Sequence, residues 1–100
     1  SQDGYGCPGI ANYVESEGLS DDLIVIGIDD SEEILGYVTD GALDCTIAQD
    51  FYKMGYEAVN YIKDIKEGNA PEFDNDSGTI IIKADDVDEH LDLLKERGLL

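Results

Sequence analysis

An α/β fold with a mainly parallel sheet is predicted by three features of this 100-residue sequence. Segments with the 3.6-residue period of helices alternate with short apolar runs that are rich in β-branched residues. The order is helix, strand, helix, strand, helix, strand, helix, with no repeat or low-complexity segment between them. Strands joined through crossover helices run parallel, so we expect helices layered on a sheet.

The first half of the chain predicts two helices and a strand. Apolar residues at spacings of three and four indicate a helix over residues 8–17. The run Leu23–Ile28 is apolar throughout, which is typical of a strand buried on both faces at the centre of a parallel sheet. Asp30 is the predicted N-cap of the next helix, with Glu33 at the third helical position, and this helix runs to about Thr39.

The second half repeats the alternation. A strand is predicted over residues 43–48, with an apolar face formed by Leu43, Cys45 and Ile47. Residues 51–67 have the longest helical period in the chain. A third strand over residues 79–83 and a helix ending near Arg97 complete the order.

Composition excludes several classes of function. The chain carries 24 acidic and 6 basic residues, a net charge of -18, which repels nucleic acids and anionic lipid surfaces. No apolar run approaches the roughly 18 residues that cross a bilayer, and residues 1–6 lack the features of a signal peptide. Cys7 and Cys45 permit one disulfide at most.

Polar residues that follow the first two strands are the best candidates for ligand contacts, because ligands bind at the carboxyl ends of strands in open α/β sheets. These residues are Asp29, whose carboxylate can accept from two hydroxyl groups, and Gln49, which both donates and accepts. Asp3 and Tyr5 precede the first helix and can reach the same edge. The alternatives are that Asp29 joins the helix cap, Gln49 bonds to loop backbone, and Asp3 and Tyr5 lie in an exposed loop.

Catalytic, metal and cofactor sites have little support. A single His90 and two distant cysteines do not match zinc spacing. Asp74–Gly78 superficially suggests a calcium loop but places Thr79 where that loop needs glycine, so we predict a solvated turn. Cys7 at a helix start has no histidine or asparagine at a recognisable spacing. We therefore expect no enzyme activity, no cofactor and no metal.

Three segments resemble a known family: Val25–Ser31, Asp40–Gln49 and Met54–Val59. They are similar in order and spacing to the C-terminal third of ribose-binding-protein-like sugar receptors, the type I periplasmic binding proteins. The resemblance implies a C-terminal fragment of a three-layer sandwich with a mainly parallel sheet. It also implies non-covalent capture of a monosaccharide or similar polyol between two lobes, and delivery to the membrane permease of an ABC transporter. The location would be extracytoplasmic, in the periplasm or lipid-anchored at the cell surface.

The same resemblance implies roles for individual residues. Asp29 and Gln49 would contact the sugar, Asp3 would add a polar contact, and Ile28 occupies a place where an aromatic residue is common. The runner-up is the effector-binding domain of a regulator related to the lactose repressor. A third alternative is a receiver-like domain with Asp29 as phosphoacceptor, which would need a lysine placed differently from Lys83.

The resemblance also implies how the chain divides between lobes. Residues 1–48 would belong to the C-terminal lobe, residues 49–78 would form a hinge and a helix packing on the N-terminal lobe, and residues 79–100 would return as strand and helix. A fragment of this kind exposes an apolar helix face. This face is formed by Phe51, Met54, Ala58 and Ile62. We expect another copy or a swapped dimer to cover it. Light scattering that shows a stable monomer would contradict this expectation.

Overall fold

The computed structural model describes residues 3–69 and 76–100, which divide into two compact units. The first unit comprises residues up to Ala48 together with Ile80–Leu100, and the second is Gln49–Thr79. The predicted order of helices and strands is confirmed, and with it the α/β class. The helices are α1 (Gly6–Ser16), α2 (Glu32–Asp40), α3 (Phe51–Lys66) and α4 (Val87–Glu96), and the strands are β1 (Ile26–Ile28), β2 (Cys45–Gln49) and β3 (Thr79–Lys83).

The helix α1 begins at Gly6, two residues before the predicted start. Asp3 makes this possible, because its Oδ1 accepts a hydrogen bond of 2.7 Å from the Gly6 N–H, one of the donors that a helix start leaves without an intrahelical partner. The side chains that α1 buries lie three and four residues apart, on one face of the helix. They are Cys7, Ala11 and Val14.

The strand β1 is shorter than predicted and lies at an edge of the described sheet, whose order is β1-β2-β3. The Leu23 N–H bonds to the Leu19 carbonyl in a turn, so the first part of the apolar run is outside the strand ladder. The prediction of a central strand buried on both faces is therefore wrong for this structure. One face of the run is exposed, Ile24 by 84% and Ile26 by 43%.

The N-cap of α2 is Ser31, so the prediction of Asp30 at this position is wrong. Ser31 has extended backbone angles, and its Oγ accepts a hydrogen bond of 3.3 Å from the Ile34 N–H. Serine is as good a cap as aspartate. The Asp30 carboxylate instead bonds to His90 on α4, a contact that no local pattern predicts.

The strand β2 pairs with β1 in parallel, with Gly27 opposite Thr46 and Ile28 opposite Ile47. Its most buried side chains are Thr46 and Ala48, whereas Cys45 and Ile47 are half-buried. The alternation of residue types therefore indicated the wrong face of β2 as the buried one. Small side chains occupy the buried face because the helices pack closely against it.

Gly27 lies at this close approach between β1 and the residues around it. A Cβ added there would lie 3.0 Å from Thr46 Oγ1, 3.1 Å from Leu43 Cδ1 and 3.3 Å from Cys7 Sγ. A side chain at position 27 would therefore press on three neighbours at once. The absence of a side chain lets α1 lie directly on the strand.

The helices of the first unit pack through α2, which contacts both α1 and α4. Residues from all three helices join β2 and β3 in one core, whose largest fully buried apolar side chains are Ile34, Leu35, Leu43 and Ile82. The strand β3 has its predicted bounds, and a 3-10 turn at Ala84–Asp86 precedes α4. This packing places the end of β1 beside the starts of α1 and α2.

The second unit is dominated by α3. Asp50 is its N-cap and accepts a hydrogen bond of 2.9 Å from the Lys53 N–H, and Lys63 and Lys66 lie in its last turn. This helix buries no side chain. Of the predicted apolar face, Phe51, Ala58 and Ile62 are exposed and Met54 is half-buried. The predicted turn at Asp74–Gly78 begins outside the described residues. Within them, no helix has the length and apolar character needed to span a bilayer.

Candidate ligand-binding site

The backbone of Asp29, the residue after β1, has a left-handed conformation with φ of 77°. Among the described residues it is the one residue other than glycine with a positive φ. Such a conformation costs an L-residue about 1–2 kcal/mol, and aspartate tolerates it better than most residues. Strain of this kind persists where surrounding contacts hold it, and it is frequent at ligand sites.

Two hydrogen bonds from β2 hold Asp29 in this conformation. Its N–H donates to the Ile47 carbonyl at 2.9 Å, and its carbonyl accepts from Thr46 Oγ1 at 2.6 Å. Thr46 is fully buried, so its hydroxyl is not shared with solvent. The two bonds use the backbone of Asp29 and leave its carboxylate available for other contacts.

A cavity of about 380 Å³ opens in front of Asp29. Its volume lies within the roughly 300–1,000 Å³ of small-molecule pockets. An aromatic ring, a hydroxyl and two carboxylates converge in it, which is the combination of apolar surface and hydrogen-bonding groups that a polyhydroxylated ligand requires. It is lined by Gly4, Tyr5, Pro8, Asp29, Ser31, Glu33 and Ile34.

Gly4 sets the position of the Asp29 carboxylate. A Cβ built on Gly4 would overlap Asp29 Oδ2 and lie 3.2 Å from Asp29 Cγ. The carboxylate therefore lies directly against the backbone of the turn before α1. The strand end and the helix start thus form the two walls of the cavity.

The structure brings two of the predicted site residues together, Asp29 and Tyr5. The Tyr5 side chain is 97% exposed and lines the same cavity. The alternative in which Asp29 joins the helix cap is wrong, because Ser31 caps α2.

The other predicted residues lie elsewhere. Asp3 bonds to the Gly6 N–H, and Ile28 is half-buried behind Asp29, and neither residue is part of the cavity wall. Gln49 is exposed at the end of β2 and belongs to the second unit. Ligand contacts by all five of these residues stay predictions.

The two cysteines are free thiols with different surroundings. Cys7 is fully buried, and its Sγ accepts from the Ile28 N–H at 3.1 Å and donates to the Ile28 carbonyl at 3.4 Å. These contacts tie α1 to the end of β1, and burial shields the thiol from reagents. In the part of the chain that the structure describes, no three metal-binding side chains form a cluster.

Three residues around Asp29 were not predicted from the sequence: Gly4, Thr46 and His90. Each acts through a contact between residues that are distant along the chain. The signals in the sequence were weak, namely a glycine before a helix, a polar residue within a strand, and a single histidine on an amphipathic helix.

Residues 1–70 match the model of the periplasmic binding protein domain. The chain belongs to this family. The match includes β1, β2 and all the residues that line the cavity. No curated protein matches the chain in sequence.

Several solved structures share the fold. A carbohydrate transporter solute-binding protein from Agrobacterium radiobacter, in complex with D-arabinose, is 29% identical over 86% of this chain, with a TM-score of 0.71. GanP, a glucose-galactose binding protein from Geobacillus stearothermophilus, is 29% identical over 80%, with a TM-score of 0.73. A mutant XylFII-LytSN complex is 29% identical over 85%, with a TM-score of 0.75. The match covers 30%, 29% and 34% of those three chains, so this chain spans about a third of their length.

Proposed function

We propose that this chain forms part of the solute-binding component of an ABC-type sugar uptake system, and that it supplies one side of a monosaccharide site. The observation that carries the proposal is the strained Asp29, held at the carboxyl end of a parallel strand with its carboxylate beside a cavity. The function is reversible binding, in which no bond is made or broken. The sugars named with two of the similar structures, D-arabinose in one and glucose and galactose in the other, support this ligand class.

Sugar hydroxyl groups fit the chemistry of the cavity. The Asp29 carboxylate has two oxygens that accept from neighbouring hydroxyls, and each charge-assisted bond contributes roughly 1.5–3 kcal/mol. The exposed ring of Tyr5 offers an apolar face to the C–H groups of a sugar and a hydroxyl to its polar edge. Asp3 and Gln49 would add polar contacts as the ligand is enclosed.

The division of the chain at Gln49 and Thr79 suits a two-lobed protein. We propose that Gln49 lies at a hinge, that residues 49–78 pack with the opposite lobe, and that closure encloses the sugar. Delivery to a membrane permease, a location outside the cytoplasm or on a lipid anchor, and a homo-oligomer covering α3 are parts of the same proposal. The similar structures named as sugar-binding proteins favour transport over the effector domain of a repressor.

Titration of the full natural protein with D-arabinose, D-glucose and D-galactose by calorimetry tests this function. We expect saturable binding of at least one sugar. Binding of none of them, or hydrolysis of one, would contradict the proposal. A helix-turn-helix segment preceding this chain in the natural protein would favour the repressor reading instead, whereas a signal peptide or lipid-attachment cysteine would favour transport.

The Gly4→Ala variant should weaken sugar binding while leaving the fold intact. The added Cβ must displace the Asp29 carboxylate, which is the flexible end of a side chain, so the shift is inexpensive for folding. A displaced carboxylate loses its alignment with the sugar hydroxyls, and we expect an affinity about tenfold lower, equivalent to about 1.4 kcal/mol. Calorimetry measures the affinity, and thermal unfolding checks the fold.

Gly9→Ala is the matched control for this variant. It makes the same chemical change in the first turn of α1, and its Cβ meets no atom within 4 Å. We expect unchanged sugar affinity for Gly9→Ala. Equal losses in the two variants would show that the contact between Gly4 and Asp29 has no role in binding.

A further inference from the structure

The loop after β1 is tied to α4 by a hydrogen bond between residues that are 60 positions apart. His90 Nε2 donates to Asp30 Oδ2 at 2.8 Å. The His90 side chain is 8% exposed and that of Asp30 25%, so the pair is largely removed from water. Four carboxylates of its own segment line a second cavity with His90, yet the bond goes to Asp30 in a different part of the chain. They are those of Asp86, Glu89, Asp92 and Glu96.

The pair lies next to the strained residue of the candidate site. Asp30 follows Asp29 directly, so an anchor on Asp30 restricts the peptide that joins them. The Asp29 N–H and carbonyl are already bonded to β2, through Ile47 and Thr46. His90 thus provides a third attachment, from the helix layer instead of the sheet.

We propose that His90 is a positioning residue for the candidate site. By holding Asp30, it keeps Asp29 in its left-handed conformation and aims the Asp29 carboxylate at the cavity. The part of this inference that concerns sugar affinity rests on the proposed function, and the part that concerns the backbone does not. The expected occupant of the cavity beside Asp29 is a monosaccharide, and His90 does not line that cavity.

A purely structural role predicts a different result. A residue that only attaches α4 would lower stability when replaced, and every amide of the first unit would then exchange faster in proportion. A positioning residue affects Asp29 selectively, because the strained conformation relaxes when its third attachment is lost. The ratio of exchange at the Asp29 amide to exchange at the Val38 amide in α2 separates the two roles.

The test compares His90→Leu, His90→Gln and Leu94→Ala in the ¹⁵N-labelled full natural protein. Leucine removes the donor, whereas glutamine retains an N–H that can reach Asp30. Leu94→Ala shortens a buried side chain of α4 and so weakens the packing of this helix. It leaves both partners of the bond between His90 and Asp30 in place. Amide hydrogen exchange by NMR is measured for each protein, together with calorimetric titration against D-arabinose, D-glucose and D-galactose.

In His90→Leu we expect the exchange ratio to rise about tenfold and the affinity for the bound sugar to fall about tenfold, as for loss of one charge-assisted hydrogen bond. His90→Gln should restore most of both, and Leu94→Ala should change neither. An unchanged ratio in His90→Leu, or the same rise in Leu94→Ala, would overturn the inference.

Three further outcomes complete the test. If His90→Leu does not fold, the pair Asp30→Asn and Asp30→Ala repeats the comparison from the acceptor side, with asparagine retaining an acceptor oxygen. If the wild-type protein binds none of the three sugars while the exchange ratio responds as described, the proposed function fails and the positioning role stands. A changed ratio with an unchanged affinity would show that the attachment does not control the site.

Discussion

The Asp29→Asn variant is expected to bind its sugar about 100-fold more weakly than the wild-type protein. Asparagine has nearly the same shape but lacks the charge, and it presents a donor in place of one acceptor oxygen. Two hydroxyls bound to the carboxylate would each lose a charge-assisted bond, so a total loss of about 3 kcal/mol is reasonable. Calorimetry against the sugar that the wild-type protein binds measures this loss.

Asparagine is a sharper choice than alanine at this position because of the backbone. Alanine at φ of 77° is strained and would disturb the loop as well as the contact, whereas asparagine tolerates the left-handed region. Asp21→Asn is the control, since it removes one charge from the exposed loop before β1. Equal affinities in Asp29→Asn and wild-type protein would remove Asp29 from the site.

Leu43→Ala is expected to lower the free energy of unfolding by about 2–5 kcal/mol, a large share of the roughly 5–15 kcal/mol typical of domains. Leu43 is 1% exposed, and its side chain lies beside Gly27 of β1. Leu43 belongs to the core of the first unit, so its truncation leaves a cavity among packed apolar side chains. Urea unfolding followed by circular dichroism measures the change.

Leu99→Ala is the control for this loss. Leu99 is half-exposed near the end of the chain, and we expect its replacement to change the unfolding free energy by no more than about 0.5 kcal/mol. A loss of similar size in both variants would mean that Leu43 contributes no more to stability than an exposed leucine.

The order of helices and strands could be predicted from sequence because it depends on local periodicity. The 3.6-residue period of α3 and the β-branched run of β3 gave bounds within a residue of those observed. The faces of β2 could not be predicted in the same way. Thr46 is polar yet fully buried, because its hydroxyl is satisfied by the carbonyl of Asp29 and Gly27 makes room beside it.

The candidate site could be predicted only in part, for a related reason. The rule that ligands bind past the carboxyl ends of strands identified Asp29 from its position alone. The residues that hold Asp29 lie far away in sequence. Thr46 is 17 positions after Asp29, and His90 bonds to Asp30, which is 60 positions before it in the chain. Contacts across such separations arise from packing, which a single sequence does not reveal.

The apolar run that contains β1 has a consequence for the chain before it has folded. The segment Leu23–Ile28 combines high strand propensity with a continuous apolar character, which are the properties of segments that nucleate fibrillar aggregates. Carboxylates border it closely on both sides, namely Asp21, Asp22, Asp29 and Asp30. Charges so placed act as gatekeepers against intermolecular strand pairing. Asp29 would therefore protect the nascent chain from aggregation, in addition to the role proposed for it in the folded protein.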